Sequence, residues 1–264
     1  MTRNSSIAIL GGNGALGSAI ATALLARGVV EAGALWISSR SGTAGPLTGT
    51  GVRTTSQAQE AACACGTVIL AVPPAQAGAL GIAAADALVI SVMAGVPRSR
   101  LAALAGAGRV VRAMSSPAAA THRAFSPWFA PDLGAADKAR TDRILSACGL
   151  ADEVTEEAHI DLFTGITGPI PGFVAYLAQC FADHATARGV APDVANRAAR
   201  QLFLASGEAL AASDLPPAAH VQAMIDYAGT TAAGLRAMQA SPLAAAIAEG
   251  VEAAVARAQQ MGRG

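Results

Sequence analysis

The chain has 264 residues, 53% of them hydrophobic and only 14% charged, which is enough apolar material for one large core or two modest ones. Its 18 basic and 18 acidic residues cancel, and neither sign gathers into a long run, which argues against nucleic acid or an anionic membrane as partner and for a small molecule. No window of about 18 uninterrupted, strongly apolar residues stands out as a spanning helix, and the short polar start ahead of Ile7 leaves no room for a signal peptide, so a cytoplasmic location is expected.

Ile7-Ala8-Ile9-Leu10 reads as a buried strand. It runs into Gly11-Gly12-Asn13-Gly14-Ala15-Leu16-Gly17 and then into helix-forming sequence that Arg27-Gly28 closes. Further strand candidates follow at 34–37, 52–54, 67–72, 87–92 and 109–113, each separated from the next by a turn or a helix-length segment. Continuous apolar strands of this kind, covered on both faces, predict an α/β fold: an N-terminal Rossmann-type, doubly wound parallel sheet.

The texture changes after about Val154, where strand signals give way to long helical patterns. Phe173, Leu177, Phe181 and His184 recur at helical spacing, 192–212 reads as a helix opened by Pro192-Asp193, and 242–261 as another. The expected division is a dinucleotide-binding domain over 1–157 and an all-α domain over 158–264, the boundary lying within 154–161. Apolar residues on more than one face of the helical half predict a homodimer.

The four cysteines, Cys63, Cys65, Cys148 and Cys180, lack zinc-site spacing and read as buried free thiols. His122, His159, His184 and His220 are scattered without ligand spacing, and no metal site is expected.

A glycine loop between a first strand and a helix lets backbone amides approach a pyrophosphate at the positive end of that helix. Gly12, Gly14 and Gly17 satisfy G-x-G-x-x-G, whereas Gly11, Gly14 and Gly17 equally satisfy G-x-x-G-x-x-G, so the register stays open. Asn13, Ala15 and Leu16 complete the expected loop contacts. At the end of the second strand, Ser39, Arg40 and Ser41 offer hydroxyls and a guanidinium suited to a 2′-phosphate where an acidic residue would select NAD, and NADPH is the expected cofactor. The rest of the cleft is expected from the C-terminal ends of later strands, at Val72 and Pro73, at Ala94 and Gly95, and at Met114.

Late in the chain, Asp226-Tyr227-Ala228-Gly229-Thr230-Thr231-Ala232-Ala233-Gly234 sets small residues and hydroxyls into an alanine-rich helical half, a composition suited to holding a ligand. Taken in order, the glycine loop, the Ser-Arg-Ser turn, 68–74, 90–95, Val111-Arg112-Ala113-Met114 with Pro117, and two C-terminal segments resemble the pyrroline-5-carboxylate reductase family over nearly the whole chain. Residues 161–173, Asp-Leu-Phe-Thr-Gly-Ile-Thr-Gly-Pro-Ile-Pro-Gly-Phe, are similar to the family's D-x-x-T-A-L-S-G-S-G-P-A-Y, and 226–235 to its S-P-G-G-T-T-x-x-G-L.

The resemblance implies a Rossmann domain joined to a helical dimerisation domain, and reduction of the ring imine of pyrroline-5-carboxylate to proline, a step of proline biosynthesis. It places Thr231 as the hydroxyl near the imine nitrogen, and Pro171, Gly229, Thr230 and Thr231 around the substrate, with the carboxylate met by amides at the start of a helix. Three departures cluster at the substrate end. The family's S-P-G-G is Asp226-Tyr227-Ala228-Gly229, its M-P-N-T-P is Met114-Ser115-Ser116-Pro117, and the lysine of its V-K-P is Pro73. A carboxylate at 226 would repel a substrate carboxylate. Either Asp226 points away, or it is protonated, or the substrate presents an amine or a neutral group there, as a substituted pyrroline of a specialised pathway would. Asp226 and Tyr227 are also candidate proton donors, as either is in other imine reductases.

Two further readings stand beside this one. A carbonyl reductase of similar layout would be expected to use a lysine in the second half as general acid, and no lysine follows Lys138. A nucleotide-binding module without catalysis would keep the glycine loop alone.

Overall fold

The computed structural model describes residues 3–263. Eight strands, β1 (Ile7–Leu10), β2 (Leu35–Ser38), β3 (Arg53–Thr55), β4 (Thr67–Leu70), β5 (Leu88–Ser91), β6 (Val110–Ala113), β7 (Ala124–Phe129) and β8 (Gly149–Glu153), form one sheet in the order β3-β2-β1-β4-β5-β6-β7-β8. The pairs from β3 through β6 are parallel, with Ile7 opposite both Leu35 and Thr67. β7 runs antiparallel to β6, and β8 is parallel to β7.

Helices α1 (Ala15–Ala26), α2 (Ala58–Ala64), α3 (Arg98–Ala105), α4 (Ala135–Ser146) and α5 (Ala158–Thr167) accompany the sheet. The two-residue period of a strand divides its side chains between two cores. Ile7, Ile9, Leu35, Ile37, Ile69 and Ile90 face Ile20 and Leu24 of α1 together with Ile144 and Leu145 of α4. Ala8, Leu10, Val68, Leu70 and Val89 face Ala61 and Ala62 of α2 with Leu101 and Ala105 of α3. Each large aliphatic side chain removed from water on either face contributes roughly 1.5–3 kcal/mol. The expected doubly wound sheet is therefore present.

Its last two strands depart from the all-parallel reading. Pro127 sits inside β7, where a missing N–H argues against a strand, but β7 pairs with β6 only at Phe129 and Trp128 and so does not need that donor. The carbonyl of Pro127 accepts from the Met114 N–H at 3.0 Å. β8 carries Asp152 and Glu153 and leaves Leu150 exposed, as an edge strand can.

The remaining helices are α6 (Ile170–Ala187), α7 (Pro192–Ala211), α8 (Pro217–Asp226), α9 (Gly229–Gln239) and α10 (Leu243–Arg263). By packing, the chain divides into one unit of residues up to 168 with 252 onward, and a second of 169–251. This differs from the expected cut at 157/158 for two physical reasons. α5 packs on β7, with the rings of Phe125 and Phe163 at 5.4 Å, and the end of α10 docks on the sheet unit. There the Gly262 carbonyl accepts from Arg100 Nη1 at 2.6 Å, and a side chain on either Gly95 or Gly262 would collide with backbone of the other segment.

The second unit has a thin core. Ala182, Ala195 and Ala199 are its buried cluster, built where α6 meets α7, and Phe181 packs edge-on to Phe203 at 5.9 Å. Much larger side chains stay in solvent, among them Tyr176, Phe181, Leu202, Leu204, Leu210 and Met224. The stretch Ala158–Ala187, interrupted at Gly168 and Pro169, is long and apolar enough by length and composition to cross a membrane, an exception to the expectation that no such stretch stands out.

Only two of the four thiols are buried, Cys65 and Cys148, while Cys63 and Cys180 are exposed on the outer sides of α2 and α6. Burial pushes both Cys65 and Cys148 up to about 12, and the thiolate is the reactive form. With iodoacetamide at pH 8, Cys63 takes the label while Cys65 and Cys148 stay unmodified until denaturant is added, as peptide mass spectrometry will read.

Candidate active site

The glycine turn takes its shape from how closely α1 approaches β1. Gly11 has φ +85°, and a Cβ there would lie 2.7 Å from the Ala71 carbonyl oxygen. A Cβ on Gly17 would collide with the Gly11 carbonyl and lie 2.8 Å from the Cα of Gly12. Gly14 is the N-cap of α1, which has no side-chain cap, so the amides of its first turn are open to an anion. These roles select the register Gly11-x-x-Gly14-x-x-Gly17. Gly12 is turned into the sheet, where a Cβ would meet Ile37 at 3.0 Å.

A cleft of about 850 Å³ opens over this turn, at the C-terminal edge of β1, β2, β4, β5 and β6. That is within the range of roughly 300–1,000 Å³ common for ligand sites. Of the residues expected to hold a cofactor, Asn13, Gly14, Ala15, Leu16, Ser39, Arg40, Val72, Pro73, Ala94 and Met114 line it. Gly12, Gly17, Ser41 and Gly95 do not. Gly12 and Gly17 serve the packing just described, and Gly95 faces Ala258 and Gly262 of α10. Ser41 bonds to the Thr43 hydroxyl at 2.8 Å.

The turn after β2 is braced from within. The buried Ser39 hydroxyl donates to the Thr43 carbonyl at 2.9 Å and accepts from the Thr43 N–H at 3.1 Å, and the Ser39 N–H donates to the Thr55 carbonyl at 3.2 Å. Among the described residues, Arg40, on this braced turn, is the one charged residue on the cleft wall, and no carboxylate lines it. A cleft with a glycine turn at the centre and a lone guanidinium at one end fits a dinucleotide carrying a 2′-phosphate.

Sequence reasoning missed Gly11, Ser56, Gln76, Thr164 and Gly168 as lining residues. Gly11 had a signal in the alternative glycine register. Thr164 and Gly168 had one in the 161–173 segment, whose helical spacing sets them on one face of α5 with Asp161.

The segment expected to hold substrate is in the second unit. α8 ends at Asp226, whose Oδ1 accepts from Gln222 Nε2 one turn earlier at 2.8 Å. Tyr227 is 90% exposed. Ala228 adopts φ +67°, ψ −165°, a region that is essentially reserved for glycine, and Gly229 follows with φ +81°. Thr230 and Thr231 stand in the first turn of α9, exposed, and no side chain caps that helix. Pro171 is exposed in the first turn of α6.

Comparison with known proteins agrees with both halves. The chain is 30% identical over 260 residues to pyrroline-5-carboxylate reductase 3 of Macaca fascicularis, covering 96% of this chain and 94% of the relative. This protein belongs to the pyrroline-5-carboxylate reductase family. The family model for pyrroline-5-carboxylate reductase dimerisation matches residues 157–261, and the model described as NADP oxidoreductase, coenzyme F420-dependent, matches residues 6–95. The helical half is thus the self-association half of a pyrroline-5-carboxylate reductase family member.

Two solved structures share the fold. The pyrroline-5-carboxylate reductase of Coxiella burnetii superposes with a TM-score of 0.85 at 22% identity, covering 98% of each chain. The pyrroline carboxylate reductase of Plasmodium falciparum, solved with NADP bound, gives a TM-score of 0.80 at 23% identity, covering 99% of this chain and 100% of that one.

The backbone at Ala228 yields a direct test. Holding alanine in a glycine conformation costs about 1–3 kcal/mol, and glycine's added unfolded-state entropy costs about 0.5–1 kcal/mol. Ala228→Gly should therefore raise stability by about 1 kcal/mol in urea denaturation, in contrast to the loss usual for such a change.

Proposed function

We propose that this protein reduces a cyclic imine with NADPH, either pyrroline-5-carboxylate to proline or a substituted pyrroline to its saturated ring. The observation that carries this reading is the cleft, with a glycine turn that admits a pyrophosphate and Arg40 as the one charged lining residue among the described residues. NADPH held there supplies a hydride to the imine carbon, so that C=N becomes CH–NH as a proton adds to nitrogen.

The chain's own residues hold and align the reactants. The amides of Gly11, Gly12 and Gly14 are taken by carbonyls of Ser38 and Gly11, so those of Asn13, Ala15 and Leu16 would meet the pyrophosphate, and Arg40 on its Ser39-braced loop would meet the 2′-phosphate. Val72, Pro73, Ala94 and Met114 form an apolar wall that keeps water from the reacting end. Gly229 and Thr230, at the uncapped start of α9, receive the ring carboxylate, with Pro171 beside the substrate, and the Thr231 hydroxyl faces the imine nitrogen.

Asp226 is the residue that separates the two substrates. Its bond to Gln222 supports the reading in which the carboxylate is turned back along α8 and leaves the start of α9 to an anion. It still sets a negative charge three residues ahead of that helix, and it favours a ring whose substituent is neutral or basic. Tyr227 and Asp226 are the further candidates to donate a proton, beside Thr231.

Two copies joined through their helical halves, a homodimer, would cover the exposed apolar side chains of α6 and α7, which the alanine core leaves in water. Four free thiols suit a reducing, cytoplasmic setting.

Purified protein should consume NADPH, followed at 340 nm, with pyrroline-5-carboxylate or a substituted pyrroline; NADPH binding without turnover on any cyclic imine would overturn the reading. Arg40→Ala removes a charge-assisted contact of about 1.5–3 kcal/mol, and kcat/KM for NADPH should fall about 10- to 100-fold while that for NADH stays level. Removing a like charge near the carboxylate is worth about 1 kcal/mol in partly screened surroundings, so Asp226→Ser should lower KM for pyrroline-5-carboxylate about fivefold.

A further inference from the structure

Arg112, on β6, is 3% exposed, and the two terminal nitrogens of its guanidinium pair with carboxylates at the start of α5. Nη1 lies 3.2 Å from Glu157 Oε1, and Nη2 pairs with Asp161 Oδ1. Glu157 Oε1 also accepts the backbone N–H of Arg98, at the start of α3, at 2.6 Å. A guanidinium this deep is tolerated only with its carboxylates in place. Glu157 and Asp161 are one helical turn apart on the same face, so a single side chain grips the first turn of α5 against the sheet.

That grip sets what α5 presents to the cleft. Thr164 follows Asp161 by three residues and Gly168 follows Thr164 by four, and both line the cofactor cleft. At 1.5 Å per residue, Thr164 stands about 4.5 Å along the helix from the ion pair. Its hydroxyl donates back to the Ile160 carbonyl at 2.7 Å, which leaves the oxygen's lone pairs to accept from a ligand. Thr164 shares the β6 end of the cleft with Met114, whereas Ser39 and Arg40 hold the β2 end. A dinucleotide laid across the strand edge with its 2′-phosphate on Arg40 has its nicotinamide at the β6 end.

We propose that Arg112, with Glu157 and Asp161, is a positioning group that fixes α5 so that the Thr164 hydroxyl oxygen accepts a hydrogen bond from the nicotinamide carboxamide N–H of NADPH. The proposal rests on the NADPH reading above. It assigns Thr164 a contact with the cofactor and gives the buried ion pair a role that acts through Thr164 alone.

The test is equilibrium binding of two nucleotides, NADPH and adenosine 2′,5′-bisphosphate, which lacks the nicotinamide, to the wild type, Thr164→Val, Asp161→Asn and the double variant. Thr164→Val should raise the Kd for NADPH about three- to tenfold, as loss of one hydrogen bond does, and leave the bisphosphate Kd unchanged. Asp161→Asn should do at least as much to NADPH alone, and the double variant should bind no worse than Asp161→Asn, because the two changes act through one contact. Equal weakening of both nucleotides, or additive effects in the double variant, would show general loosening and overturn the proposal. Thr164→Val leaves the ion pair intact and carries the test if Asp161→Asn does not fold; NADPH affinity equal to the wild type's would overturn the hydrogen bond. Wild-type protein that binds neither nucleotide overturns the cofactor reading itself, and this proposal with it.

Discussion

The descent of α1 onto the turn after β1 is the constraint from which the first unit follows. At Gly11 and Gly17 the approach leaves no space for a Cβ, and at Gly11 the backbone is left-handed as well. Because the Gly17 Cα sits on the Gly11 carbonyl, the first turn of α1 is held over the end of the sheet with its amides free. The same contact brings the Ala71 carbonyl against Gly11, so the chain leaving β4 must diverge from the chain leaving β1. That divergence is the floor of the cleft. Side-chain packing on the two sheet faces stabilises the unit, but the backbone-to-backbone contact decides where a ligand can enter.

Strands β1, β4 and β5 were readable because each is a short apolar run buried on both faces, with β-branched or leucine side chains at most positions, whereas β3, Arg53-Thr54-Thr55, is polar and largely exposed and showed itself only by its place between a turn and a helix-length segment. β7 and β8 were not readable, since Pro127 interrupts the first and acidic, solvent-facing residues dilute the second. β7 is buried on both faces but is hidden by its proline, and β8, at the edge, does not need the double burial that makes a central strand visible. The cofactor side of the site was largely readable from the glycine loop and the strand ends. What escaped were residues whose role depends on tertiary placement. Gly95 has the local look of a cleft residue but is occupied by α10, and Thr164 reads as one more helical threonine until Arg112 fixes the helix it sits on.

The second unit poses the opposite problem, because its helices form readily and its core is too small to hold them. A cluster of three alanines buries little area, while tyrosine, phenylalanine and leucine side chains on the same helices remain in water. An amphipathic helix gains most of its stability in a protein from covering its apolar face. The apolar length of Ala158–Ala187, which meets the composition of a spanning helix, is accounted for by the same need for a partner surface in a family whose dimerisation model matches this region.

The two departures at the start of α9 are physically different. Asp226 changes the charge of the segment, yet its carboxylate is engaged within its own helix by Gln222. Ala228 leaves the charge alone and changes what the backbone costs, since a side chain has been added where the chain still takes a glycine conformation. A turn free to relax would have done so, because about 1–3 kcal/mol is a large share of the stability of a small domain. The conformation persists, which argues that the geometry it creates, a helix entered through Ala228 and Gly229 with its first amides uncapped, is what this segment must preserve. On the proposed reading, variation in the side chains before α9 would adjust which ring is accepted, while the uncapped start of α9 would be the part the chemistry requires.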